Sequence, residues 1–109
     1  MKEENYESEK QALNIIQPDL GLVGGITEGK KICDYVNVYD IEVQVHVCGS
    51  PVATAATLQL EAAIPNFVIH EHHTYALKDG NIRLCKQNYQ PKNGYFKNPD
   101  LSGLGIELN

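Results

Sequence analysis

Three ionisable residues occupy matching places along the chain. Asp19 follows an apolar stretch over 14–17, His46 lies at the end of an alternating stretch over 41–47, and Glu71 follows a stretch over 66–70. Their separations of 27 and 25 residues are close to one βα repeat of roughly 30 residues. Each repeat therefore delivers one acid–base side chain at the carboxyl end of its strand, where open α/β sheets and barrels build their sites. An Asp beside a His is chemically sensible. The carboxylate orients the imidazole and stabilises its protonated form, which makes the His a competent base. The same residues have plainer uses: Asp19 as a turn or helix cap after Pro18, His46 as a polar strand residue, and Glu71 as a surface carboxylate.

His70, His72 and His73 form a second cluster, and imidazole suits Zn, Fe or Ni. A metal needs ligands converging on one point, whereas alternation along an extended segment sends His72 and His73 to opposite sides. The plainer reading is that they rim a cleft or the surface, and His72 and His73 are the candidate substrate-binding residues. Between the first strand and the next helix, the loop Gly21-Leu22-Val23-Gly24-Gly25 is only superficially similar to a dinucleotide-binding turn and reads more plainly as a βα loop needing positive φ. The dinucleotide-binding spacing is not met, because Val23 stands at its middle position.

The elements that must position these residues follow from periodicity. Residues 2–12 read as an exposed helix and 14–17 as a strand stopped by Pro18. Thr27 is the expected N-cap of a helix over 28–39, weakened by Gly29, with Glu28 in its first turn. Over 41–47, Ile41, Val43, Val45 and Val47 alternate with Glu42, Gln44 and His46, the signature of a strand. Ser50 and Pro51 open a helix over 52–63, Pro65 ends it, and 66–70 is a third strand. Beyond Glu71, glycines and prolines punctuate an irregular tail. Strands alternating with helices predict an α/β fold with parallel strands and helices together on one face.

Composition narrows the function. The 109 residues support one modest core, with 42% apolar and 21% charged residues. A net charge of −5 without a basic run argues against nucleic acid and anionic membranes. No apolar stretch approaches the roughly 20 residues of a transmembrane span, and the start, Met1-Lys2-Glu3-Glu4, predicts no signal peptide. Cys33, Cys48 and Cys85 are odd in number and lack a C-x-x-C, which fits a reducing cytoplasm.

Several runs together resemble the C-terminal part of the enolase superfamily: Gln17-Pro18-Asp19, Gly24-Gly25-Ile26-Thr27-Glu28, Ser50-Pro51-Val52-Ala53-Thr54-Ala55-Ala56, Ile64-Pro65-Asn66-Phe67-Val68-Ile69-His70-Glu71 and Gly103-Leu104-Gly105-Ile106-Glu107-Leu108. The likeness is to the mandelate racemase and muconate lactonizing subgroup, in particular its galactonate-type sugar-acid dehydratases, and covers nearly the whole chain in order. It implies strands six to eight of a TIM-like (β/α)7β barrel. Residues 1–74 would be its βα units and 75–109 an irregular tail running toward a lid domain. Asp19 and His46 resemble the family's Asp–His dyad, and Glu71 its eighth-strand acid that hydrogen-bonds the enolised carboxylate. The implied reaction removes a proton α to a carboxylate and eliminates a β-hydroxyl as water, with Mg²⁺ stabilising the enediolate.

Two departures bear on substrate. Gln44-Val45 stands where the family shows Ala-Pro, and Val47-Cys48-Gly49 replaces a turn containing Asn-Pro. The resemblance also puts the three metal carboxylates and the substrate-selecting lid upstream of Met1. A complete barrel alone takes about 250 residues, so the chain reads as a fragment, inactive by itself. Uncovered sheet edges then predict a homo-oligomer. Alternatives are a racemase or cycloisomerase on the same framework, a truncated non-catalytic domain, and a small metal module built on His46, His70, His72 and His73.

Overall fold

The computed structural model describes residues 9–87 and 89–109. The helix expected over 2–12 lies mostly outside that set. Its described end turns at Lys10 and Gln11, with Gln11 at φ 52°.

Strand β1, Ile15–Ile16, pairs in parallel with β2, Glu42–Val43, matching Ile15 to Glu42 and Ile16 to Val43. Backbone hydrogen bonds extend this pairing at both ends: Glu42 N–H to Asn14 O (3.0 Å), Gln44 N–H to Ile16 O (3.0 Å) and His46 N–H to Pro18 O (3.0 Å). A third segment joins β2 in parallel through Val43 and Phe67, with Val43 N–H donating to Asn66 O and Val68 N–H to Val43 O. The three extended segments thus run in one direction, as the alternating pattern predicts. Regular ladder is shorter than the apolar stretches, in part because Pro18 has no N–H to contribute.

The odd positions of the middle segment carry the core. Ile41, Val43, Val45 and Val47 are buried, with Ile16, Leu20, Ile32, Cys33, Val36, Leu60 and Ile64 packed around them. Ile32, Cys33 and Val36 come from α2 (Ile26–Asn37), and Leu60 comes from α3 (Pro51–Glu61). Both helices therefore lie on one side of the sheet. Ser50 is the N-cap of α3 and Pro51 its first residue, as expected.

Two details differ from the sequence reading. A four-residue helix, α1 (Leu20–Val23), directly follows Asp19. Gly24 ends it at φ 107°, donating its N–H to Leu20 O, and Gly25 at φ 97° caps α2 in place of Thr27. Two consecutive positive φ values, natural only to glycine, turn the chain from one helix straight into the next, so α2 begins at Ile26. The tail is also less irregular than expected. It opens with a 3₁₀ turn, Thr74–Leu77, and α4, Asp79–Leu84, and its end returns to pair Leu108 with Cys85 in antiparallel fashion.

Gly29 is a packing residue, not only a weak point in α2. A Cβ there would lie 2.4 Å from Leu20 Cδ2 and 3.3 Å from Leu60 Cδ2. Gly29→Ala is therefore expected to destabilise the fold by about 1–3 kcal/mol, despite alanine's better helix propensity. Urea unfolding checks this, and an unchanged or raised midpoint would contradict the close approach of α1, α2 and α3.

Candidate active site

The register that pairs His46 with Pro18 sets the next residue, Asp19, beside the imidazole. His46, with Glu42 and Gln44, projects from the sheet face opposite the core. Gln17 Nε2 donates to Gln44 Oε1 at 2.9 Å, linking the first two segments next to His46. Glu71 arrives from the third segment.

All three acid–base residues therefore meet. Glu71 Oε2 lies 2.8 Å from His46 Nδ1 and accepts the Val47 N–H at 2.6 Å. Asp19 Oδ2 lies 4.0 Å from His46 Nε2, while its Oδ1 accepts the Gly21 N–H at 2.8 Å and caps α1. The side chains are 41%, 27% and 26% exposed for His46, Asp19 and Glu71, so the group is held yet reachable. An ionised carboxylate only accepts hydrogen bonds. In a neutral ring, a hydrogen bond to an ionised Glu71 places the proton on Nδ1 and leaves the Nε2 lone pair on the side of Asp19. The imidazole's direct hydrogen bond goes to Glu71 and not to Asp19, because one Asp19 oxygen is committed to the helix cap and the other stands beyond hydrogen-bond reach.

The remaining histidines make their contacts elsewhere. His73 caps the 3₁₀ turn, its Nδ1 accepting from Tyr75 N–H at 3.1 Å. His72 sits edge-on to Phe96, with ring centroids 5.3 Å apart. Desolvation, and then the neighbouring charge of His70, lower its pKa. Among the described residues no group of three or more His, Cys, Asp or Glu side chains is arranged to hold a metal ion, which removes the histidine metal module. Asp19 and Glu71 do not form a Mg²⁺ site either: they stand on opposite nitrogens of the His46 ring, and no third such ligand converges with them among the described residues.

A pair that the sequence reading missed lies behind the third segment. His70 Nδ1 and Glu61 Oε2 are 2.7 Å apart, with side chains 7% and 5% exposed. His70 also packs on Phe96, centroids 4.4 Å apart. A carboxyl at the end of an Ala- and Leu-rich helix was the available signal. Burial raises the Glu61 pKa, and the hydrogen bond and charge of His70 oppose the rise. The folded state then holds a proton that the unfolded chain, titrating near 4.5, has lost. That contribution to stability is present below pH 4.5 and fades as pH climbs through the raised value. Glu61→Gln is expected to flatten this part of the stability–pH curve, measured by urea unfolding at stepped pH. An unchanged slope would contradict the burial.

The model of the enolase C-terminal domain-like family matches residues 7–109. The chain belongs to that family. Among curated proteins, it is 41% identical over 101 residues to the D-xylonate dehydratase of Haloferax volcanii, covering 93% of this chain and 24% of that one. It is 33% identical to the D-galactonate dehydratase of Pectobacterium atrosepticum, covering 89% and 27%. Among solved structures, it superposes on a member of the enolase superfamily from Salmonella Typhimurium with a TM-score of 0.91 at 56% identity, over 95% of this chain and 27% of that one. An enolase from Pantoea ananatis with bound D-gluconate and Mg matches with a TM-score of 0.86 at 27% identity, covering 95% and 25%. The enolase-family chain thus spans about a quarter of the length of these relatives. No helix among its described residues is long and apolar enough to cross a membrane.

Proposed function

We propose that this chain supplies strands six to eight of a (β/α)7β barrel in a cytoplasmic, Mg²⁺-dependent sugar-acid dehydratase, with the metal ligands and lid furnished by the rest of the enzyme. The observation that carries the reading is the convergence of Asp19, His46 and Glu71 at the carboxyl ends of three consecutive parallel segments. Likeness to D-xylonate and D-galactonate dehydratases supports an aldonic acid as substrate.

In this reading His46 Nε2 removes the proton on C2, next to the substrate carboxylate. Glu71 keeps Nδ1 protonated, so the lone pair faces the substrate. Asp19, 4.0 Å from Nε2, stabilises the imidazolium once it forms. The imidazolium then returns its proton to the C3 hydroxyl, which leaves as water, and the enol relaxes to a 2-keto-3-deoxy acid. Of the two histidines behind Glu71, His73 is the candidate to contact the sugar hydroxyls; His72 packs on Phe96 beside His70, on the side of the helices.

The test joins the chain to the upstream three quarters of a close relative and supplies aldonic acids with Mg²⁺. Formation of a 2-keto-3-deoxy acid is expected. Epimerisation at C2 without loss of water would instead assign a racemase, and no reaction with any acid sugar would favour a non-catalytic domain.

A further inference from the structure

We infer that Glu61 and His70 are positioning residues for His46: their buried pair fixes the backbone from which Glu71 reaches the imidazole. Among the described residues the third segment pairs with β2 alone. Its last backbone hydrogen bond to the sheet, among the described residues, is Val68 N–H to Val43 O, and residues 69–72 make none. Glu71 would thus stand three positions beyond the last rung of the ladder, on a segment free to swing. Two side chains hold the segment across that gap, Glu71 itself and its neighbour His70. His70 turns to the helix side, bonds Glu61 of α3 at 2.7 Å and packs on Phe96. Glu71 turns to the other side and bonds His46 Nδ1 and Val47 N–H. A continuous set of contacts therefore runs from α3 through Glu61, His70 and Glu71 to the imidazole.

Stability does not account for this pair. Among the described residues Glu61 Oε1 and His70 Nε2 are buried without a partner, and a buried polar pair with unsatisfied atoms is commonly no more stabilising than apolar side chains of the same volume. Its position accounts for it. A hydrogen bond has a direction that an apolar contact lacks, and the residue it locates is followed immediately by the carboxylate that sets the tautomer of His46.

The inference rests on the assignment of His46 as the proton-transferring group, but its test needs no turnover. In the uniformly ¹⁵N-labelled full chain, the imidazole nitrogen shifts report which nitrogen carries the proton at a pH where the ring is neutral. Wild type is expected to show the Nδ1–H form at His46. His70→Phe, which keeps an apolar ring against Phe96 but loses the bond to Glu61, is expected to lose that form. Glu61→Gln, which retains a hydrogen-bonding partner for His70, is expected to keep it. Should His70→Phe fail to fold, Glu61→Leu removes the same bond from the helix side and carries the same expectation. Retention of the Nδ1–H form in a folded His70→Phe or Glu61→Leu chain would overturn the positioning role while leaving the His46–Glu71 pairing intact. An Nε2–H form already present in wild type would overturn the pairing itself. The role of His46 in proton transfer is read separately, from activity of the joined enzyme.

Discussion

Replacing His46 with alanine is expected to lower kcat of the joined enzyme by roughly 10²–10⁴-fold, the contribution typical of a positioned general base. The loss should fall on kcat more than on KM, because in the proposed reaction the imidazole acts on the C–H bond in the transition state and adds little to ground-state binding. Folding should survive. His46 lies on the face away from the core, and its side chain is 41% exposed, so removing it opens no cavity among the buried valines. Asp19→Asn should cost less than His46→Ala, since the role proposed for Asp19 is exerted from 4.0 Å without a direct hydrogen bond. Steady-state kinetics on the purified variant, with its thermal midpoint as a control for folding, decides the matter. Full activity in His46→Ala would remove His46 from the chemistry.

Self-association of the isolated chain is the second large effect. Among the described residues the sheet has helices on one face only, and its other face and much of both edges are open. Apolar side chains are exposed along those edges: Ile15 is 45% exposed, Phe67 40%, Val68 43% and Ile69 58%. Unpaired backbone groups beside exposed apolar side chains template pairing with another chain. Sedimentation at micromolar concentration is expected to show species well above the 12.1 kDa of one chain. A lysine on the open edge, Ile69→Lys, should shift the distribution toward monomer, because a charge there has to be desolvated when a second edge docks. A stable wild-type monomer would contradict the account of the edges.

Much of this architecture was legible in the residues. The strict alternation of Ile41, Val43, Val45 and Val47 reports a segment covered on one face, and those four side chains are buried as a set. Ser50-Pro51 marks the start of α3, because a cap followed by proline has few other uses. The carboxyl-end placement of Asp19, His46 and Glu71 could be counted off the sequence, since repeat length and strand direction fix it. What was not legible depends on backbone conformation and on partners distant in sequence. The handover from α1 to α2 turns on positive φ at Gly24 and Gly25, which sequence shows only as two glycines. Whether His46 bonds Asp19 or Glu71 turns on 4.0 Å against 2.8 Å between side-chain atoms, and the Asp19 cap on Gly21 decides it. The His70–Glu61 pair joins a strand to the helix before it, and neither residue type announces burial.

The most direct test of the central claim, that these three side chains form one mouth for an acid sugar, is a crystal structure of the joined enzyme with an unreactive aldonate bound. C2 of the ligand is expected within about 3.5 Å of His46 Nε2, the range of reacting atoms poised for transfer, with Asp19 and Glu71 flanking the ring. A ligand seated on the helix-covered face, or a His46 turned away from C2, would contradict it.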